Sequence, residues 1–119
     1  SSDVCSSDLK KTLDSEACKN AAYRIVVIHI PPGCDTWYGP LESQRLFVPL
    51  LNEANIDLML CGHLHRHVYS PAGEEGRNYP MLVNSNTEGA YITVNDKGID
   101  LTVKDRQHNQ THNWKLPRK

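Results

Sequence analysis

The sequence predicts an α/β domain that closes in a β-meander, on the strength of three observations. Two short apolar runs rich in β-branched residues, YRIVVIHI (residues 23–30) and IDLMLC (residues 56–61), read as strands. Between them lies a stretch with helical spacing, long enough for the crossover that parallel neighbours require. After the second run the pattern changes to PMLVNSN, AYITVN and GIDLTVKD, short segments of period-two alternation that predict hairpin-linked antiparallel strands.

Each element can be argued in chain order. The opening SSDVCSSDL resembles an in-frame translation of a sequencing-library adapter. Residues 1–9 are therefore read as an artefact expected to be disordered, and residues 10–119 as the domain, with its upstream half missing. From residue 9 to residue 22, Leu9, Leu13, Ala17 and Ala21 recur at i, i+4 spacing and predict one amphipathic helix. The run at 23–30 is apolar on both faces, which predicts a strand covered on both sides and ended by Pro31 and Pro32. GCDTWYGP (residues 33–40) is turn-rich and predicts a surface loop. From residue 41 to residue 54, Leu46, Phe47, Leu50, Leu51 and Ala54 share one side of a helix that Pro49 should kink or start. NDKG (residues 95–98) is a hairpin signal with Gly98 at a left-handed position. Ile99, Leu101 and Val103 should then face the core, and Asp100, Thr102 and Lys104 water.

Composition excludes several classes. A chain of 119 residues with 39% hydrophobic and 23% charged residues fits one globular domain with a modest core. Its formal net charge is −1 and neither sign forms a block, which disfavours nucleic acid as a partner and a membrane-surface helix. No apolar run reaches the roughly 18 residues of a membrane-spanning segment. The cysteines stand at irregular spacing and give neither a disulfide framework nor a paired zinc motif, and Cys61 reads as a small buried hydrophobe.

The chemistry concentrates in LMLCGHLHRHV (residues 58–68). In extended backbone His63 and His65 would point to the same side, where neutral imidazoles can share a metal. The same pattern also suits a polar strand facing water. Position weighs on the other side: His29 and His63 each follow an apolar strand, at the ends where α/β folds build sites, and Gly62 allows a sharp turn between strand and histidines.

VVIHIPP, the helix after it and IDLMLCGHLH together resemble the C-terminal half of a calcineurin-like metallophosphoesterase. RLFVPLLNEANIDLMLCGHLHRHVYS and PMLVNSN are most similar to the purple acid phosphatase-like branch, and the match runs from about residue 21 to residue 104. The resemblance implies half of an αββα sandwich ending in a β-meander, with a two-metal centre at the sheet tips. It implies that His29 and His63 ligate one metal and His65 the other, the ions being divalent or trivalent iron, zinc or manganese. The implied activity is hydrolysis of phosphate esters, phosphomonoesters first, by a metal-bridging hydroxide. The family's other ligand motifs are absent, so the chain alone is expected to be inactive and to lack the N-terminal half of its own domain as a partner. Trp37 and Tyr38 are implied to contact the phosphate-ester substrate, with loop packing as the alternative, and His67 falls to the substrate rim or the surface. The branch carries a tendency to export, periplasmic or extracellular.

Two other functions stay open. A phosphodiesterase or nuclease of the same superfamily is disfavoured by the near-neutral charge. A non-catalytic mononuclear metal-binding or interaction module would use His63, His65 and His67. Asn109-Gln110-Thr111 is a glycosylation sequon, which the sequence alone leaves as a chance match.

Overall fold

The computed structural model describes residues 2–119, with side chains from residue 5 onward. The elements run α1 (Ser2–Leu13), α2 (Glu16–Lys19), β1 (Ile25–Val27), α3 (Tyr38–Glu53), β2 (Leu58–Cys61), β3 (Val68–Ser70), β4 (Met81–Val83), β5 (Gly89–Asn95), β6 (Gly98–Lys104) and β7 (Gln110–Pro117). Two sheets result, one of strand order β1-β2-β4-β3 and one of order β5-β6-β7. In the first, β1, β2 and β4 are parallel and β3 pairs antiparallel with β4. The second is the predicted meander, antiparallel throughout. The mixed α/β class is thus as the sequence predicts.

Strand alternation sorts the core into two layers. Met59 and Cys61 of β2 and Met81 and Val83 of β4 join Leu51, Ile56 and Tyr79, with Leu9, Leu13 and Phe47 of the helices packed against them. Leu58 of β2 and Leu82 of β4 point the opposite way and meet Ile99, Leu101 and Val103 of β6. The four-stranded sheet therefore carries helices on one face and the three-stranded sheet on the other, and β2 and β4 at its centre read as continuous apolar runs for that reason. Leu58, Met59, Leu82, Leu101 and Val103 are all 0% exposed. Burying each contributes roughly 1.5–3 kcal/mol relative to an exposed side chain.

Gly98 is required where β5 turns into β6. Its φ is +149°, and a Cβ there would stand 2.2 Å from the Leu116 carbonyl oxygen of β7, so the close approach of backbone demands glycine as much as the turn does.

Four expectations are corrected. The stretch at residues 1–9 is helical from Ser2, not disordered, and Leu9 packs against the helix-side core because it lies one turn before Leu13. The single helix at 9–22 is two: the chain breaks after Leu13, and Ser15 starts α2 as an N-cap, its hydroxyl accepting from the Cys18 N–H at 3.2 Å. The strand at 23–30 shortens to Ile25–Val27 and is not covered on both sides. It is the edge of its sheet, and Val27 is 76% exposed because no described element lies beyond it. Finally, α3 begins at Tyr38, inside the predicted loop. Pro40 falls in its first turn, where a missing N–H costs nothing, and Pro49 lies within it.

Candidate functional site

The site grows from the C-terminal ends of β1, β2 and β4. Arg24 fixes the start of β1: its backbone N–H donates to Asp57 Oδ2 at 2.8 Å, and its guanidinium donates to the Cys18 and Lys19 carbonyls at 2.7 and 2.6 Å. At the far end, the Gly62 N–H donates to the His29 carbonyl at 2.9 Å, and the Asn84 N–H to the Cys61 carbonyl at 2.9 Å. These bonds carry the parallel ladder past the strands and hold three strand ends side by side. A Cβ on Gly62 would lie 3.6 Å from His29 Nδ1, an ordinary van der Waals contact, so the His29 ring packs directly against this position.

An open cavity of about 530 Å³ lies at these ends, lined among others by Val27, His29, His63, His65, Asn84 and Ser85. The rings of His29 and His63 meet edge to face, with centroids 5.3 Å apart and planes at 84°. His65 lines the same cavity. Among the described residues, however, no group of three or more His, Cys, Asp or Glu side chains is placed to hold a metal ion.

The backbone that carries His63 and His65 is a turn. His63 and His65 do not lie in extended chain: their φ values are +70° and +57°, and the Leu64 N–H folds back on the Gly62 carbonyl at 2.8 Å. Two left-handed residues replace the pleat, so it is this turn, not strand alternation, that brings both histidines to the one cavity. Left-handed conformation in a non-glycine residue costs of order 1–3 kcal/mol, and here two such residues fall in one tight turn.

The other sequence-predicted residues lie outside the cavity lining. Trp37 and Tyr38 are 47% and 67% exposed at the start of α3. His67 stacks on His112, centroids 3.6 Å apart and planes at 8°, and Trp114 stacks in turn on Tyr69 at 4.3 Å. Both His67 ring nitrogens are buried without a hydrogen-bond partner. Burial, foremost, and then the neighbouring His112 push the His67 pKa down, against Glu88. This ladder joins the ends of β3 and β7 across the two sheets. His108 sits in the β6–β7 turn.

Asn84, Ser85 and Asn86 line the cavity, and sequence reasoning missed them as site residues. Their signal was available: a polar run directly after the apolar β4, in the position that His29 holds after β1. Asn84 Nδ2 donates to the Glu88 carbonyl at 2.9 Å, while its Oδ1 is buried with no partner.

Comparison with known proteins changes the reading. The fold is shared, at a TM-score of 0.74, with a solved structure described as GAP50, the anchor in the inner membrane complex of Plasmodium. Identity to it is 18%, and the match covers 96% of this chain and 42% of that one, so the chain spans less than half the length of its structural neighbour. No family model matches, and no curated protein matches. The metallophosphoesterase assignment and the hydrolase activity it implied are corrected on this finding: the solved structure that shares the fold is described as an anchor. Short motifs misled here because a histidine after each of two parallel strands records where the fold puts its sites, not what those sites do. No described helix is long and apolar enough to cross a membrane.

Proposed function

We propose that this chain is a non-catalytic interaction module that offers a two-histidine site for one divalent ion, iron, zinc or manganese, at the mouth formed by the ends of β1 and β2. The observation that carries the reading is the His29–His63 pair. Two imidazoles bound to one tetrahedral ion, with metal–nitrogen bonds of about 2.0–2.1 Å, have ring centroids roughly 5 Å apart, and these two are separated by 5.3 Å. A two-metal centre needs more donors than the three histidines that line this cavity, and a carboxylate to bridge the ions, so these residues support the reading of a single ion. A pair of histidines leaves coordination positions open, which suits an ion that a protein partner completes, and the fold shared with an anchor supports a partner over a substrate. The apolar margin at Val27, 76% exposed beside the same cavity, adds surface that a partner would cover.

The test is competition for zinc against a chromogenic chelator. The wild-type chain should bind one ion with micromolar or weaker affinity. His29→Ala and His63→Ala should each weaken binding at least tenfold, and His108→Ala should leave it unchanged. Equal binding by all variants would overturn the site. Metal-dependent hydrolysis of p-nitrophenyl phosphate would overturn the non-catalytic reading.

A further inference from the structure

The β6–β7 hairpin closes through a loop whose backbone is satisfied from within. Asp105 Oδ1 accepts from the Gln107 and Asn109 N–H groups, each at 2.9 Å, and the Asp105 N–H donates to the Asn109 carbonyl at 2.9 Å. His108, at φ +64°, completes the turn, its N–H donating to the Asp105 carbonyl at 3.0 Å. The backbone of Asn109 is therefore fixed while its carboxamide makes no hydrogen bond to any described residue. The residue is exposed, as are its neighbours from Arg106 to Thr111. Asn109-Gln110-Thr111 is also the single Asn-x-Ser/Thr sequence in the chain, with no proline at the middle position.

We propose that Asn109 is an acceptor for an N-linked glycan whenever the chain enters a compartment that glycosylates. The donor class is an oligosaccharide on a lipid pyrophosphate. The Asn109 amide nitrogen forms a bond to the anomeric carbon, the bond from that carbon to the pyrophosphate oxygen breaks, and the lipid pyrophosphate leaves. The amide loses one proton to a base of the transferase. No oxidation is involved.

The structure also orders the events. A transferase reads the hydroxyl two residues after the asparagine, but in the fold the Thr111 hydroxyl is held by Glu88 and by the Val103 carbonyl at 3.2 Å. Transfer therefore precedes the docking of β7 on β6. The finished fold accommodates the product because Asn109 stands at the hairpin tip, away from both core layers and from the histidine cavity.

The experiment is translation of the full chain behind a cleavable signal sequence, with glycosylating microsomes, followed by endoglycosidase treatment. The wild type should show one enzyme-sensitive mobility shift. Asn109→Gln and Gln110→Pro should show none, and Thr111→Ser should keep it. A second measurement compares thermal unfolding of the glycosylated chain with that of the endoglycosidase-treated chain, where midpoints within about 2 °C of each other are expected. An unshifted wild type, a shift that survives Asn109→Gln, or a glycosylated chain that does not fold would each overturn the proposal.

Discussion

Tyr79 is 0% exposed and its hydroxyl has no hydrogen-bond partner, so this residue carries a penalty that shows as a pH dependence. Burial foremost, with Arg77 opposing and Cys61 adding, pushes its phenol from 10.0 up to about 12. Between those values the unfolded chain has lost the Tyr79 proton and the folded chain keeps it. The contribution is thus fully present below about pH 10 and is lost as pH rises toward 12. The Cys61 thiol, also pushed up to about 12 by burial, acts in the same direction. Tyr79→Phe removes both the titration and the unpartnered hydroxyl. Urea unfolding should find the variant as stable as wild type at pH 7, or more stable by up to about 1 kcal/mol, and should find that it loses less stability between pH 8 and pH 11. Identical slopes for the two chains would show that folding does not raise the Tyr79 phenol.

At the scale of elements, α1 and the 71–79 loop are each held by α3. Asn52 of α3 accepts from the Asn78 N–H at 3.0 Å and donates to the Gly76 carbonyl at 2.9 Å, while Gln44 donates to the Glu75 carbonyl at 3.1 Å. Arg77, 1% exposed, closes that loop from beneath by donating to Ser70 Oγ at 2.6 Å. On the other side, α1 contributes Leu9 and Leu13 to the core. Deleting residues 1–9 should lower the midpoint of thermal unfolding by roughly 4–8 °C per kcal/mol of lost packing, with a loss of about 1–2 kcal/mol for a half-buried leucine and the helical turns around it. Scanning calorimetry of the 10–119 chain beside the full chain decides the matter: an unchanged midpoint would mean that this helix contributes nothing to the fold.

For the molecule as a whole, the open question of contact is the β1 edge. Parallel sheets are stable when both faces and both edges are covered, and here one edge presents Ile25 at 37% and Val27 at 76% exposure without a charge or proline to blunt it. The structural neighbour has more than half its length outside the match. The purified chain should therefore self-associate at raised concentration. Val27→Lys should suppress this without altering the unfolding midpoint, since the side chain is already in water. Sedimentation velocity across a concentration series is the measurement, and a monomeric wild type would show that the edge is protected.

The sequence by itself determined the α/β class, the two central strands, the meander with its Gly98 turn, and the inward set Ile99, Leu101 and Val103. Those features rest on periodicity and on turn chemistry, which act over a few residues. It also placed His29 and His63 at neighbouring strand ends, because parallel pairing puts successive strand termini side by side. What only the tertiary structure decided depends on long-range neighbours. Val27 is apolar whether or not a further strand lies beside it, so pattern alone could not tell an edge from a centre. His63 and His65 alternate in sequence, but the bond from Leu64 back to Gly62 makes a turn of that segment, and it is the turn that leaves both on the same cavity. The stack of His67 on His112 joins residues that no local rule connects, since they meet only when the two sheets pack face to face.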